Sequence, residues 1–301
     1  MNERMFRAEA ASILSDQIER LQSDTYRLRV PATAVLMRRE KGRHFHIVPE
    51  LVVQLEGQAV LELPDGRLTL DKGDICLIPR GVPHRERVVS RRGAFRNLVG
   101  IPVQSAVCFH VGVAGPDDGP AVEPGLCQPL PDAQRVFAFA DDIATLYRSR
   151  SVAAQATTRG LLLAMLGTLV LGLTSPASNP VCEHFKVSQC RQLMGSHLGD
   201  PALSVKYLAA RLHCSADYLS HLFHANTGTR LSASINLQRI NQAQYLLKQS
   251  SMNVAEIGHS CGYADPSYFA RVFRRLTGCT PLAFRRNAAL WNAFAQPECN
   301  S

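Results

Sequence analysis

The sequence predicts a multidomain chain: an N-terminal all-β barrel with attached helices, then a C-terminal all-α domain built on two helix-turn-helix motifs. Three observations lead there. Short Val-, Leu- and Ile-rich runs separated by turn residues fill positions 26–113, the pattern of an antiparallel sandwich or barrel. From Asp132 onward the apolar period lengthens to that of a helix. Within the last third, one pattern of six residues recurs at a constant offset of 50.

At 301 residues the chain has the length of two domains, and 46% apolar with 19% charged residues is globular composition. Its longest apolar run, Leu161–Leu173, is 13 residues, short of the roughly 20 that a bilayer requires. The N-terminal MNERMFRAEA carries charges where a secretory signal needs an apolar stretch, so a soluble, cytoplasmic protein without membrane contact is expected. Nine cysteines include no CxxC pair, which argues against a zinc finger or a thioredoxin-like site. In a reducing compartment they read as small buried hydrophobes, with a two-cysteine redox sensor as the alternative.

Taken in order, VVQL, AVLEL, RLTL, DICLIP and NLVGIPV are the candidate strands. Residues 114–132, dense in proline and glycine, read as a loop or linker. Asp132–Arg148 and Ser151–Leu173 read as helices; the second is apolar nearly all round and must bury against a sheet, a partner helix or both. TSPASNP at 174–180 reads as an interdomain linker. The divisions are therefore 1–131, 132–180, 181–290 and a tail at 291–301. Residues 181–301 hold 12 Lys and Arg against 6 Asp and Glu, whereas the first 180 are nearly balanced at 21 against 19. A basic module on a near-neutral remainder suggests a polyanion partner.

In the repeat, Tyr218, Leu219, Leu222, Phe223, Thr227 and Gly228 return as Tyr268, Phe269, Val272, Phe273, Thr277 and Gly278. Each copy marks one helix face and ends where glycine can take a left-handed cap. A short helical pattern precedes each: VKYLAARL (205–212) before a Ser215 N-cap, and NVAEIGHSCGYAD (253–265) with Gly262 in the turn, Asp265 as N-cap and Pro266 at the first helical position. Helix, turn and amphipathic helix make a helix-turn-helix. Between them Leu231–Gln249 reads as one helix, roughly 28 Å long at about 1.5 Å per residue. That length could set two recognition helices about one DNA turn, roughly 34 Å, apart.

These residues resemble the DNA-binding domain of AraC/XylS-type transcriptional regulators over about 184–290. The resemblance rests on SADYLSHLFHANTG, on Arg239-Ile240-x-x-Ala243-x-x-Leu246-Leu247, and on VAEIGHSCGYADPSYFARVFRRLTGCTPLAFRR. Gly258 departs from it, since the family more often has Ala there. With Leu219, Leu222 and Phe223 inward, Asp217, Ser220, His221 and His224 face outward on the first recognition helix. With Phe269, Val272, Phe273 and Leu276 inward, Ser267, Ala270, Arg271 and Arg274 face outward on the second. The resemblance implies that Asp217, Ser220, His221, Ser267 and Arg271 approach bases in the major groove. Arg271 suits the O6 and N7 acceptors of guanine, while Arg274, Arg275 and Lys206 suit phosphates. The first recognition helix presents no Arg or Lys and should read fewer bases.

In the N-terminal part, His44 and His46 lie two apart and so point to one face of a strand, with Glu50 and His84 able to join them from neighbouring strands. Such a mixed nitrogen and oxygen set can hold a transition metal. The stretches HFHIVPELVVQLEG and GDICLIPRGVPH resemble the two motifs of the cupin superfamily, H-x-H-x3-E-x6-G and G-x5-P-x-G-x2-H, over about 30–110. Arg38 and Val88 depart, standing where the motifs often begin with Gly and end in Asn. The resemblance implies a jelly-roll barrel with His44, His46, Glu50 and His84 as ligands of one divalent metal. Regulators of the AraC type often keep such residues only as polar lining for an organic effector, and both readings stand.

The expected function is a DNA-binding transcription regulator, an activator by family habit, controlled by a ligand or metal in the cupin domain. Its expected partners are double-stranded promoter DNA, a small-molecule effector of unknown identity, a second copy joined through the 132–173 helices, and RNA polymerase. No nucleophile triad, phosphate loop or cofactor fingerprint supports catalysis, so no catalytic residue is assigned. The competing reading is a metal-dependent cupin enzyme, or a metal sensor, fused to a DNA-binding domain.

Overall fold

The computed structural model describes residues 3–31, 43–46, 48–89, 95–103, 106–115, 119–130, 133–175 and 185–287; most of the expected linker and the whole C-terminal tail lie outside them. The chain forms two compact units, one running to Gln192 and the other from Leu193.

The first unit opens with helix α1 (Glu3–Gln22), which the sequence reading did not assign. The signal was present: Phe6, Ala10, Leu14 and Leu21 recur at helical spacing, and all are buried. Among the described residues nine strands follow: β1 (Arg27–Arg29), β2 (Glu50–Glu56), β3 (Ala59–Leu63), β4 (Gly66–Leu70), β5 (Asp74–Ile78), β6 (Arg85–Val88), β7 (Arg96–Val103), β8 (Ala106–Ala114) and β9 (Pro120–Pro129). They build a six-stranded sheet, ordered β1-β5-β2-β7-β8-β9, and a three-stranded sheet, β4-β3-β6.

Period-2 alternation assigns the two faces of the large sheet. Val52, Cys76, Val99 and Ile101 turn inward and meet Ala59, Leu61 and Leu70 of the small sheet. Leu51, Val53, Ile75, Leu77, Leu98 and Phe109 turn outward against helices. Strands β2 and β5, covered on both faces, therefore read as nearly continuous apolar runs. Residues 114–132, expected as a loop, instead contain β9. Its prolines are tolerated because β9 is an edge strand, free of ladder bonds on one side, and its pairing with β8 shifts register between Phe109 and Val111.

The helices covering the outer face are α1, α2 (Ala133–Leu146) and α3 (Val152–Thr174). Ser151 caps α3 by accepting the Ala154 N–H at 3.1 Å. Leu162, Met165, Leu166, Leu169 and Leu173 form its buried face. With 23 residues and a mean hydropathy of 1.6 over its most apolar window, α3 has the length and composition to cross a membrane, which the 13-residue run alone does not. A third of that window is buried within the protein, and Arg159 is tied to the carbonyls of Leu21 and Gln22 and to Asp24. Cys108 is disulfide-bonded, whereas Cys76, Cys190 and Cys261 are buried thiols. The reading of the cysteines as small buried hydrophobes therefore holds at Cys76, Cys190 and Cys261 and not at Cys108.

The second region is all helix: α4 (Phe185–His197), α5 (Val205–Arg211), α6 (Ala216–Thr227), α7 (Leu231–Gln249), α8 (Val254–Ser260) and α9 (Pro266–Thr277). The expected caps are in place. The Ser215 hydroxyl accepts from Tyr218 N–H at 3.2 Å, Asp265 accepts from Ser267 N–H at 2.8 Å, and Pro266 opens α9. Gly228 and Gly278 close α6 and α9 in the left-handed conformation. Asn253 and Glu256 add a capping box to α8. A Cβ at Gly258 would lie 2.9 Å from the Phe269 ring, so the glycine permits close α8–α9 packing where the family more often has Ala.

Candidate functional site

Two places carry the expected site residues. The first lies inside the barrel. A reciprocal backbone pair, His44 N–H to His84 O at 3.0 Å and His84 N–H to His44 O at 2.8 Å, joins the two motif segments. Gly81 has a φ of 76° and donates its N–H to the His46 carbonyl at 2.7 Å, a turn that a side chain would strain. These contacts bring the ligating nitrogens of His44, His46 and His84 within 4.8 Å of one another. Glu50 opens β2 on its inward face, and its Oε2 lies 3.7 Å from His46 Nε2 and 3.4 Å from His84 Nε2. His44 is exposed, while His46 and His84 are buried, so the cluster meets solvent on the His44 side.

The tautomer of His84 shapes the chemistry. Its Nδ1 lies 2.9 Å from the Val82 carbonyl and so carries the proton, which turns Nε2 towards Glu50. In the neutral ring that nitrogen presents a lone pair to a carboxylate oxygen. The contact is stable only if the ring is protonated or a cation stands between them. Glu50 Oε2 has no hydrogen-bond partner despite being buried. Burial favours the neutral acid, but the imidazoles of His84, His46 and His44 outweigh it and hold Glu50 near about 2. Burial likewise lowers His84, yet contact with Glu50 raises it above its usual value. A buried anion facing three imidazoles is a donor set that fits a divalent transition metal.

Sequence reasoning missed two further residues of this interior. Val52 pairs with Val99, and Val99 with His110, which places the His110 ring on the same inner face as Glu50. Burial drives His110 down to about 4, and its Nδ1 has no partner. Glu86 of β6, held by Asn97 Nδ2 at 2.7 Å, is raised to about 7, first by burial and then by Glu50. Both lie outside the two motifs, and strand alternation was the only signal available for them.

The second place is the pair of recognition helices. On α6, Leu219 and Phe223 are buried; Asp217, His221 and His224 are exposed, and Ser220 is half-buried with its hydroxyl on the Ala216 carbonyl at 2.8 Å. On α9, Phe269, Val272 and Phe273 are buried, and Ser267, Arg271, Arg274 and Arg275 are exposed. The Arg271 guanidinium rests over the Tyr268 ring, 5.8 Å from its centre. Lys206, on α5, is exposed. Leu276, expected inward, is 44% exposed: it sits in the last turn of α9, beyond the cluster that Phe269, Val272 and Phe273 make with Ile257 and Tyr263.

Comparison with known proteins matches both places. A helix-turn-helix domain family covers residues 208–287, and the AraC-like ligand-binding domain family covers residues 31–163. The arabinose operon regulatory protein of Escherichia coli is 35% identical over 100 residues, 33% of this chain and 34% of its own. The activator RhaR of Cronobacter sakazakii is 36% identical over 102 residues, 34% of this chain and 35% of its own. The chain thus spans about a third of the length of the curated relatives it matches. Among solved structures, the DNA-binding domain of AdpA in complex with a target DNA is 30% identical, covers 37% of this chain and 98% of its own, and has a TM-score of 0.34. The chain thus joins a region similar to AraC-like ligand-binding domains to a helix-turn-helix domain similar to those of curated transcriptional regulators such as the arabinose operon regulatory protein.

Proposed function

We propose that this protein is a sequence-specific, DNA-binding transcription activator whose barrel senses a ligand, and that it is not an enzyme. One observation carries the proposal: two capped helix-turn-helix units separated by the 19-residue α7, with the second presenting Arg271, Arg274 and Arg275 to solvent beside a buried apolar face. In this reading Ser267 and Arg271 read bases, Arg274, Arg275 and Lys206 meet phosphates, and α6 contributes through Asp217, Ser220, His221 and His224. The cytoplasm is the matching location, and RNA polymerase the partner of an activator. A second copy fits the exposed, small-residue side of α3, where Ala153, Ala156, Gly160 and Ala164 leave the helix backbone approachable.

Arg271→Ala should cost about 1–3 kcal/mol at one base pair and relax specificity there. Arg274→Ala should weaken specific and random duplexes alike. Anisotropy titrations on both duplex types check this; identical behaviour of the two variants would remove Arg271 from direct readout.

For the barrel, the unpartnered Glu50 oxygen among three imidazoles supports a bound divalent metal held by His44, His46, Glu50 and His84. Such an ion would supply a Lewis-acidic point to which an effector oxygen binds. Protein purified without chelator is expected to hold close to one ion per chain by elemental analysis, and His46→Ala to hold much less. Protons compete for the same nitrogens, so occupancy should fall as pH drops through about 6.5, the ordinary histidine range. The raised His84 makes that loss begin at higher pH than for a free imidazole. Protein that contains no metal and takes up none from zinc, iron, manganese or nickel salts would leave these residues as polar lining for an organic effector.

A further inference from the structure

Outside the barrel interior, β1, the end of α2 and the first turns of α3 enclose a cleft of about 570 Å³. Four arginines line it: Arg27, Arg29, Arg148 and Arg150. Among the described residues no acidic side chain lines it, although Asp74 lies fully buried behind. Arg27 Nε donates to Asp74 Oδ1 at 2.7 Å, Arg27 Nη2 to Asp71 Oδ2 at 3.2 Å, and Arg29 Nε to Asp74 Oδ2 at 3.4 Å. These bonds anchor two guanidinium groups at one edge while leaving further N–H groups on each. Among the described residues, Arg148 and Arg150 have no carboxylate partner, so the cleft keeps two uncompensated positive charges. The N-terminus of α3, at Ser151, adds the positive end of its dipole.

Thr158 supplies an independent indication. On α3 the hydroxyls of Thr157, Thr168 and Thr174 donate to the carbonyl four residues back, at 2.8, 2.8 and 2.9 Å. Thr158, which lines the cleft, does not: its side chain is buried, 6% exposed, and its Oγ1 has no hydrogen-bond partner. A buried hydroxyl unsatisfied by its own helix, next to unpaired guanidinium groups, is a donor set awaiting an acceptor.

We propose that this cleft is a second ligand site, which binds a small dianion through its phosphate or paired carboxylates, independently of any ligand in the barrel. Arg148 and Arg150 provide the charge, Arg27 and Arg29 fixed N–H donors, and Thr158 a hydroxyl at the floor. Phosphoryl and carboxylate ligands share this chemistry, and the choice of probe separates them.

The test is calorimetric titration of the full chain with inorganic phosphate, pyrophosphate, malonate and citrate, each against sodium chloride of equal ionic strength. At least one probe should bind with measurable heat beyond chloride, and the better class identifies the head group. The double variant Arg148→Gln/Arg150→Gln, whose side chains are exposed and needed for no packing, should bind it at least about tenfold more weakly, a difference of about 1.4 kcal/mol. Thr158→Val, which keeps the shape, should also weaken it while leaving the melting temperature without anion unchanged or higher. No binding of any probe beyond chloride, or equal binding by the double variant, overturns the proposal. So does a double variant whose DNA affinity loses salt dependence while its anion binding is intact, since the arginines would then be contacts to the DNA backbone.

Discussion

Arg239→Met is expected to destabilise the C-terminal unit by about 3–5 kcal/mol, the combined loss when several buried carbonyls are stripped of a charged donor. Arg239 lies on α7 and is buried. Its Nε donates to the Leu198 carbonyl at 3.1 Å, and its Nη2 to the carbonyls of Asp200 at 2.7 Å and Leu203 at 3.5 Å. The guanidinium also stacks on Tyr263, 5.4 Å from the ring centre. One side chain thus ties α7 to the α4–α5 connection and to the turn of the second helix-turn-helix. Burial lowers its pKa, but an arginine remains charged at any working pH. Methionine fills much of the volume and returns none of the hydrogen bonds, leaving buried carbonyls unsatisfied at about 1–3 kcal/mol each. Urea unfolding of the full chain, followed by helical circular dichroism, measures the loss. A change under about 1 kcal/mol would mean that water replaces the guanidinium and that the staple contributes little.

DNA affinity of the full chain is expected to fall about 10³-fold between 50 and 200 mM salt, which corresponds to about six phosphate contacts. That is about 4 kcal/mol from ion release alone. The surplus of six positive charges in residues 181–301 motivates the figure, as do the exposed Lys206, Arg274 and Arg275. Arg274→Ala should then reduce the slope of log affinity against log salt by about 1. Fluorescence anisotropy across a salt series measures both quantities. Affinity indifferent to salt would exclude the phosphate-clamping role of these residues, whatever the recognition helices do.

The C-terminal domain was legible almost residue by residue. Helix α7 runs from Leu231 to Gln249 as the apolar spacing predicts, and Ser215, Asp265, Pro266, Gly228 and Gly278 mark ends because capping is a local interaction between neighbours in sequence. The N-terminal part was legible in its strand pattern and its histidine motifs. It was misread wherever a residue's meaning depended on distant partners. β9 looked like a linker because proline and glycine oppose a strand in isolation, yet an edge position beside β8 removes the objection. Leu276 has the spacing of a core residue but lies past the end of the core.

The sequence by itself determined the two-part architecture, the ends of the recognition helices, the outward placing of their polar side chains though not of Leu276, and the three histidines and one glutamate that could form a site. Periodicity, caps and motif spacing are written along the chain and need no long-range contact to be read. Tertiary structure alone decided that His110 and Glu86 share the barrel interior with those four residues, and that Glu50 keeps an unpartnered oxygen there. It alone decided that Arg239 staples three segments and that four arginines from β1 and the α2–α3 turn converge on one cleft with Thr158. The physical reason is the same in each case. Charge, burial and hydrogen-bond satisfaction depend on which atoms meet in space, and pairs such as Leu198 with Arg239, or Arg29 with Arg148, are brought together only by the folding of elements far apart in sequence.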